Sequence, residues 1–210
     1  LALVHQLARD RGVRFAPGAA ELFAMVAGED TRQLQGELEK LALYAAPRTE
    51  LEEDDIRAVV SQNRAGAIFD IGDALARRNI RRAMELIDQL VYLGESPVAI
   101  LLAAIIPKIR GLLVAKDLSE RLRMRGGGSY PQFSAQLERL PDSETAHLPR
   151  TKEGKISAYP IFLALKETGG FTMDQLRAGL RHCLEANRKL VTSDLDGKLV
   201  LNQLVVKIAG

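Results

Sequence analysis

The residue types that could do chemistry in this chain of 210 residues are few and scattered. Its three histidines, His5, His147 and His182, lie far apart in the sequence. Its one cysteine, Cys183, follows the last of them, and one His–Cys dipeptide cannot supply the four ligands of a structural zinc site. A catalytic Cys–His pair needs facing side chains, whereas adjacent helix positions point about 100° apart. We therefore predict that Cys183 packs in a core, and we expect no catalytic, cofactor or metal site.

Two other patterns have the composition of a ligand site without its arrangement. The acidic run Glu52-Glu53-Asp54-Asp55 suits the positive end of a helix dipole better than a metal. The triple glycine at 126–128 lacks the lysine that a phosphate-binding loop requires. No helix start is expected after it, so we interpret it as a flexible link.

Basic residues are densest at Arg77, Arg78, Arg81 and Arg82. Arg78 and Arg82 are predicted to share a helix face across one turn, where they could contact a phosphate or the carboxylates of a partner. No aromatic residue lies among them to stack on bases, which argues against reading of single strands. The first 61 residues carry a net charge of −4 and the remainder +6, compatible with weak contact to a DNA backbone.

The composition indicates helices. Apolar residues make up 47% of the chain but aromatic residues only 5%, and sheets favour aromatic and β-branched residues. No apolar run reaches the length of a membrane span, and no signal peptide is visible. A single cysteine suits a reducing compartment. We expect an all-α, cytoplasmic protein without membrane contact.

The first 63 residues read as a small bundle of three helices, with residues 1–15 as a linking helix before it. Asp30 and Gln33 have the spacing of a capping box, and the apolar positions of 34–45 fall on one helix face. Thr49 and Glu52 have the same spacing before a third helix. The polar segment 61–66 is predicted to be a linker.

Residues 64–210 read as a larger helical domain. Ser96-Pro97 is a strong helix start, and the long apolar helix that follows is predicted to be central, with a kink at Pro107. Residues 119–157 are predicted to be a long loop insertion with at most one short helix, near Phe133. Thr172 and Gln175 form a further capping-box pattern. No segment reads as a strand.

Several short motifs together resemble the bacterial DNA polymerase III delta subunit, a clamp-loader component. Leu34, the run Glu37-Leu38-Glu39-Lys40-Leu41 and Tyr44 are similar to a helix of its AAA+-type lid domain. Later motifs resemble its C-terminal collar domain: Ile68-Phe69-Asp70, Asp73-Ala74-Leu75, Gly94-Glu95-Ser96-Pro97, and Tyr159-Pro160 with Phe162. The 119–157 segment is longer than the family's usual connection.

The resemblance implies a fragment containing the lid and the collar, without the amino-terminal domain that grips the sliding clamp. It implies a non-ATPase component that opens the clamp for loading on primed DNA. The collar would bind the gamma/tau and delta-prime subunits. Two alternatives stay open: a helical adaptor unrelated to replication, and an ATP-hydrolysing loader subunit such as gamma or tau.

The carboxy-terminal helices are the expected subunit interface, because they carry apolar residues on more than one face. Leu201 lies about 200° around the helix from Leu199, so one of the two is expected outside the domain's own core. The candidate interface residues are Leu180, Leu199, Leu201 and Val205.

Overall fold

The chain is mainly helical in the computed structural model, which describes residues 1–28, 30–60, 64–121, 128–151 and 154–210. The predicted all-α class is confirmed. The chain divides into two compact units, Leu1–Phe69 (unit 1) and Asp70–Gly210 (unit 2), and the division falls inside one helix. The α-helices are α1 Ala2–Asp10, α2 Ala19–Ala27, α3 Thr31–Ala45, α4 Glu53–Val59, α5 Arg64–Ala76, α6 Ile80–Tyr92, α7 Pro97–Ile100, α8 Ile106–Arg121, α9 Tyr130–Glu138, α10 Asp142–Thr145, α11 Ala158–Glu167, α12 Met173–Thr192 and α13 Gly197–Ala209.

Unit 1 also contains two short strands that the sequence analysis missed. Strand β1, Arg14–Phe15, pairs in parallel with β2, Glu50–Leu51. Two residues give too short a pattern for alternation to be visible in the sequence. The pair joins the segment after α1 to the segment before α4. Leu51 is fully buried, and strand β2 packs against α3.

The helix caps of unit 1 are partly those predicted. Asp30 caps α3, since its carboxylate accepts a hydrogen bond of 2.8 Å from the Gln33 N–H. The predicted Thr49 cap is wrong: Thr49 lies directly before strand β2, where its carbonyl accepts a hydrogen bond of 2.8 Å from the Arg14 N–H. Helix α4 is capped by Glu52 in a capping box with Asp55. The Arg48 guanidinium hydrogen-bonds to Asp55 at 2.8 Å and holds the pKa of that carboxyl below its usual value. The acidic start of α4 is therefore used in helix capping.

The core of unit 2 is built around the continuous helix Pro97–Arg121. It begins where predicted, with Ser96 accepting a hydrogen bond of 3.1 Å from the Ala99 N–H. A π-helical turn, Leu101–Ile105, precedes Pro107, with the Ile106 N–H bonded to the Leu101 carbonyl. This wider turn shifts the hydrogen-bond register just before the residue that has no N–H.

The expectation that no segment could span a bilayer is wrong by length and composition, since this helix of 25 residues is long and apolar enough. Core helices of folded domains meet the same criterion. One line of the helix is buried within unit 2, against α11 and α12. That line is Ile100, Leu101, Ala104, Ile105, Ile109, Leu112, Ala115 and Leu118.

The 119–157 segment contains more structure than the single short helix predicted. Helix α8 extends to Arg121, and α9 and α10 both lie within the segment. Residues 61–63 of the predicted linker and 126–127 of the triple glycine lie outside the described residues. The expectation that no helix starts after the glycines is wrong, because Ser129 and Gln132 form the capping box of α9. Phe133 then packs 5.6 Å from the Phe162 ring of α11, so part of the insertion joins the core.

Candidate subunit interface

The lid-motif residues of α3 serve the core of unit 1. Leu34, Leu38 and Leu41 are all buried, with exposed fractions of 4% or less. Glu37 is buried as well, and its carboxylate lies 2.7 Å from the Lys40 ammonium. The buried members of the motif therefore fix the helix within its own unit, while its other members Glu39, Lys40 and Tyr44 (57%) are exposed.

The motif residues of α5 differ in their surroundings. Phe69 is half-buried, with the Arg57 guanidinium 6.0 Å from its ring centre, and Asp70 is half-buried too. Leu75 is fully buried. Asp73 takes part in an ion cluster inside unit 2, where the Lys108 ammonium lies 3.0 Å from its carboxylate.

The ion cluster consists of Asp73, Lys108 and Glu167, from α5, α8 and α11. The Lys108 ammonium lies 2.7 Å from the second carboxylate, that of Glu167, and all three side chains are at most 17% exposed. Burial raises the pKa of Glu167 above its usual value, although Lys108 opposes the shift. Because Gly72 has no side chain, the Lys108 stem can pass it: an added Cβ would lie 3.2 Å from Lys108 Cδ.

The Gly94-to-Pro97 motif forms the connection between α6 and α7. Gly94 has a φ of +88°, which is accessible to glycine without strain. Pro97 occupies the first helical turn and is packed so closely by Gly197 that an added Cβ there would lie 2.6 Å from the proline ring. The motif thus brings the start of α7 against the start of α13.

The predicted position of Arg78 on a helix face is corrected by the structure, while its contact with a phosphate or a partner stays a prediction. Arg78 lies in the turn between α5 and α6 with a φ of +56°, so it does not share a helix face with Arg82. Its guanidinium donates hydrogen bonds of 3.0, 2.9 and 3.1 Å to the Gly170 carbonyl, the Gly210 carbonyl and the Gln175 side chain. It also lies 4.4 Å from the Phe171 ring centre. These contacts hold three parts of unit 2 together.

Arg82 keeps its predicted surface position. Its side chain is 42% exposed, and its nearest carboxylate is that of Glu85 at 3.7 Å. A contact with a phosphate or a partner's carboxylate stays a prediction for this residue.

The four candidate interface residues fall into two groups. Leu201 and Val205 are fully buried in the core of unit 2, so the prediction of an interface role for these two is wrong. They face inward because α13 packs against both α6 and α12, which covers a wide arc of the helix. Leu199 is 51% exposed, and Leu180 is partly exposed, so these two stay candidates.

Unit 2 exposes further apolar residues that were not among the predicted interface residues. On α12, Leu184 is 70% exposed and Val191 is 68% exposed. The sequence could have indicated this exposed face, because the two residues are seven apart and so lie on one side of α12. They lie next to the buried line of the helix, which is Leu176, Gly179, Cys183 and Ala186. Tyr92 and Leu93, at the end of α6, are 91% and 66% exposed, and only their position before Gly94 distinguished them in the sequence.

The histidines, the cysteine and the acidic run considered for chemistry, all within the described residues, are not assembled into a reactive site. Cys183 is buried, and burial raises the pKa of its thiol to about 11, which leaves it protonated and unreactive near neutral pH. His182 faces Glu185 at 3.6 Å on the same helix. Among the described residues, no three histidine, cysteine or acidic side chains lie close enough to hold a metal ion.

Comparison with known proteins agrees with the resemblance drawn from the sequence. Residues 65–126 match the family model for the DNA polymerase III delta subunit, C-terminal domain. The fold is similar to that of the Bacillus subtilis DNA clamp loader delta protein, with a TM-score of 0.59 and 17% sequence identity. The alignment covers 99% of this chain and 55% of that chain, so the present chain spans about half the length of that structure. No curated protein matches the sequence.

Proposed function

We propose that this DNA polymerase III delta-subunit-like protein is the part of a clamp-loader delta subunit that assembles it with the other loader subunits. The observation that carries the proposal is the family match over 65–126, which includes nearly all of α5, all of α6 and the whole core helix Pro97–Arg121. In this proposal residues 1–63 are the AAA+-type lid and residues 64–210 are the collar, a boundary a few residues before the division between the two compact units. The complete protein would open the sliding clamp for loading on primed DNA, through a clamp-binding domain outside these residues.

The exposed apolar residues of unit 2 support a role in assembly. Leu184 and Val191 on α12 and Leu199 on α13 each expose more than half of their side chains. Scattered apolar residues are ordinary on a protein surface, but a concentration on two adjacent helices is typical of a protein interface. The partners that fit the proposal are the gamma/tau and delta-prime subunits, in the cytoplasm.

Co-purification with cognate gamma/tau and delta-prime subunits tests the proposal. The wild-type chain should be retained by at least one of them, and Leu199→Glu should lose most of this retention, because a charge buried at an interface without a partner is costly. Leu43→Glu is a matched control, since Leu43 is an exposed leucine of unit 1 (73%) and the change should leave retention unaltered. Failure of the wild-type chain to bind any loader subunit would favour an adaptor unrelated to replication.

We also propose that this chain does not hydrolyse ATP. The sequence contains no phosphate-binding loop, and the charged cluster at Lys108 is enclosed by its own unit. ATP hydrolysis by the purified chain that follows the protein through further purification steps would contradict this part.

A further inference from the structure

We draw no further inference here: the strongest candidate, the exposed surface patch of Arg177, Arg181, Leu184 and Arg188 along one side of α12, mixes cations with an apolar side chain, and nothing in the structure shows what covers it.

Discussion

Replacing Lys108 with methionine is the most informative test of how unit 2 is held together. The side chain is 15% exposed, and its ammonium lies 3.0 Å from Asp73 and 2.7 Å from Glu167. Methionine keeps most of the volume of the lysine stem but removes the charge, which leaves two carboxylates in a largely buried position without their cation. Loss of one partner from a buried ion pair costs about 3–5 kcal/mol.

The size of this loss should depend on pH. At pH 7 the Glu167 carboxyl is expected to be ionised in the unfolded chain, and the folded variant must either bury its charge or take up a proton. As the pH falls toward 5, proton uptake by Glu167, whose pKa burial already raises, removes part of the cost. The free energy lost should therefore be largest at pH 7 and clearly smaller at pH 5.

Native-state hydrogen exchange, read by mass spectrometry on peptides from α5, α8 and α11, measures the opening free energy of this part of unit 2. Lys198→Met is the matched control: its pair with Asp88 has the same 3.0 Å distance, but side chains that are 43% and 47% exposed, and its loss should stay below about 1 kcal/mol. Adding Asp73→Asn and Glu167→Gln to Lys108→Met should recover most of the stability. A loss below about 1 kcal/mol at pH 7, or one that does not change with pH, would refute the reasoning.

Three further changes test other contacts of unit 2. Glu167→Gln should gain stability relative to the wild type as the pH rises. A carboxyl whose pKa is raised in the folded state gives stability that is present at low pH and lost as the pH rises through the folded-state pKa. Urea unfolding at pH 4, 5.5 and 7 measures the difference in unfolding free energy between variant and wild type, and a difference that is constant with pH would contradict the prediction. Arg78→Lys should lower the free energy of unfolding by about 1–2 kcal/mol, because lysine cannot reproduce three directed hydrogen bonds and the stacking on Phe171. Thermal unfolding measures the loss, and Arg77→Lys, at an exposed position, is the control. Gly197→Ala should cost about 1–3 kcal/mol, because the new methyl group would lie 2.6 Å from the ring of Pro97; an unchanged melting temperature would show that the junction is looser than described.

Local signals in the sequence determined most of the helices and their starts. Asp30, Ser96 and Thr172 cap helices where predicted, because a side chain that accepts a hydrogen bond from an N–H three residues later acts within one turn. The ordered series of motifs was also sufficient for the resemblance that the family match then confirmed. The pattern of the long apolar helix predicted its central place in unit 2.

Other features depend on residues that are distant in the sequence. The two-residue strands exist only because they pair with each other, and Thr49 cannot act as a cap because that segment joins the strand pair. The insertion at 119–157 gains helices whose apolar residues, such as Phe133, find partners on α11. Periodicity within one segment contains no information about such partners.

The surface residues show most clearly what only the tertiary structure decided. The sequence determined that Leu199 and Leu201 point to different sides of α13, but burial of Leu201 depends on α6 and α12, which pack against the helix from two sides. The sequence determined that Arg78 is a cation, whereas its engagement with Gly170, Gln175 and Gly210 requires turns that lie about one hundred residues apart to meet. Helical periodicity sets the direction of a side chain, and the packing of other helices determines whether that direction leads to the core, to an internal partner or to a surface available for binding.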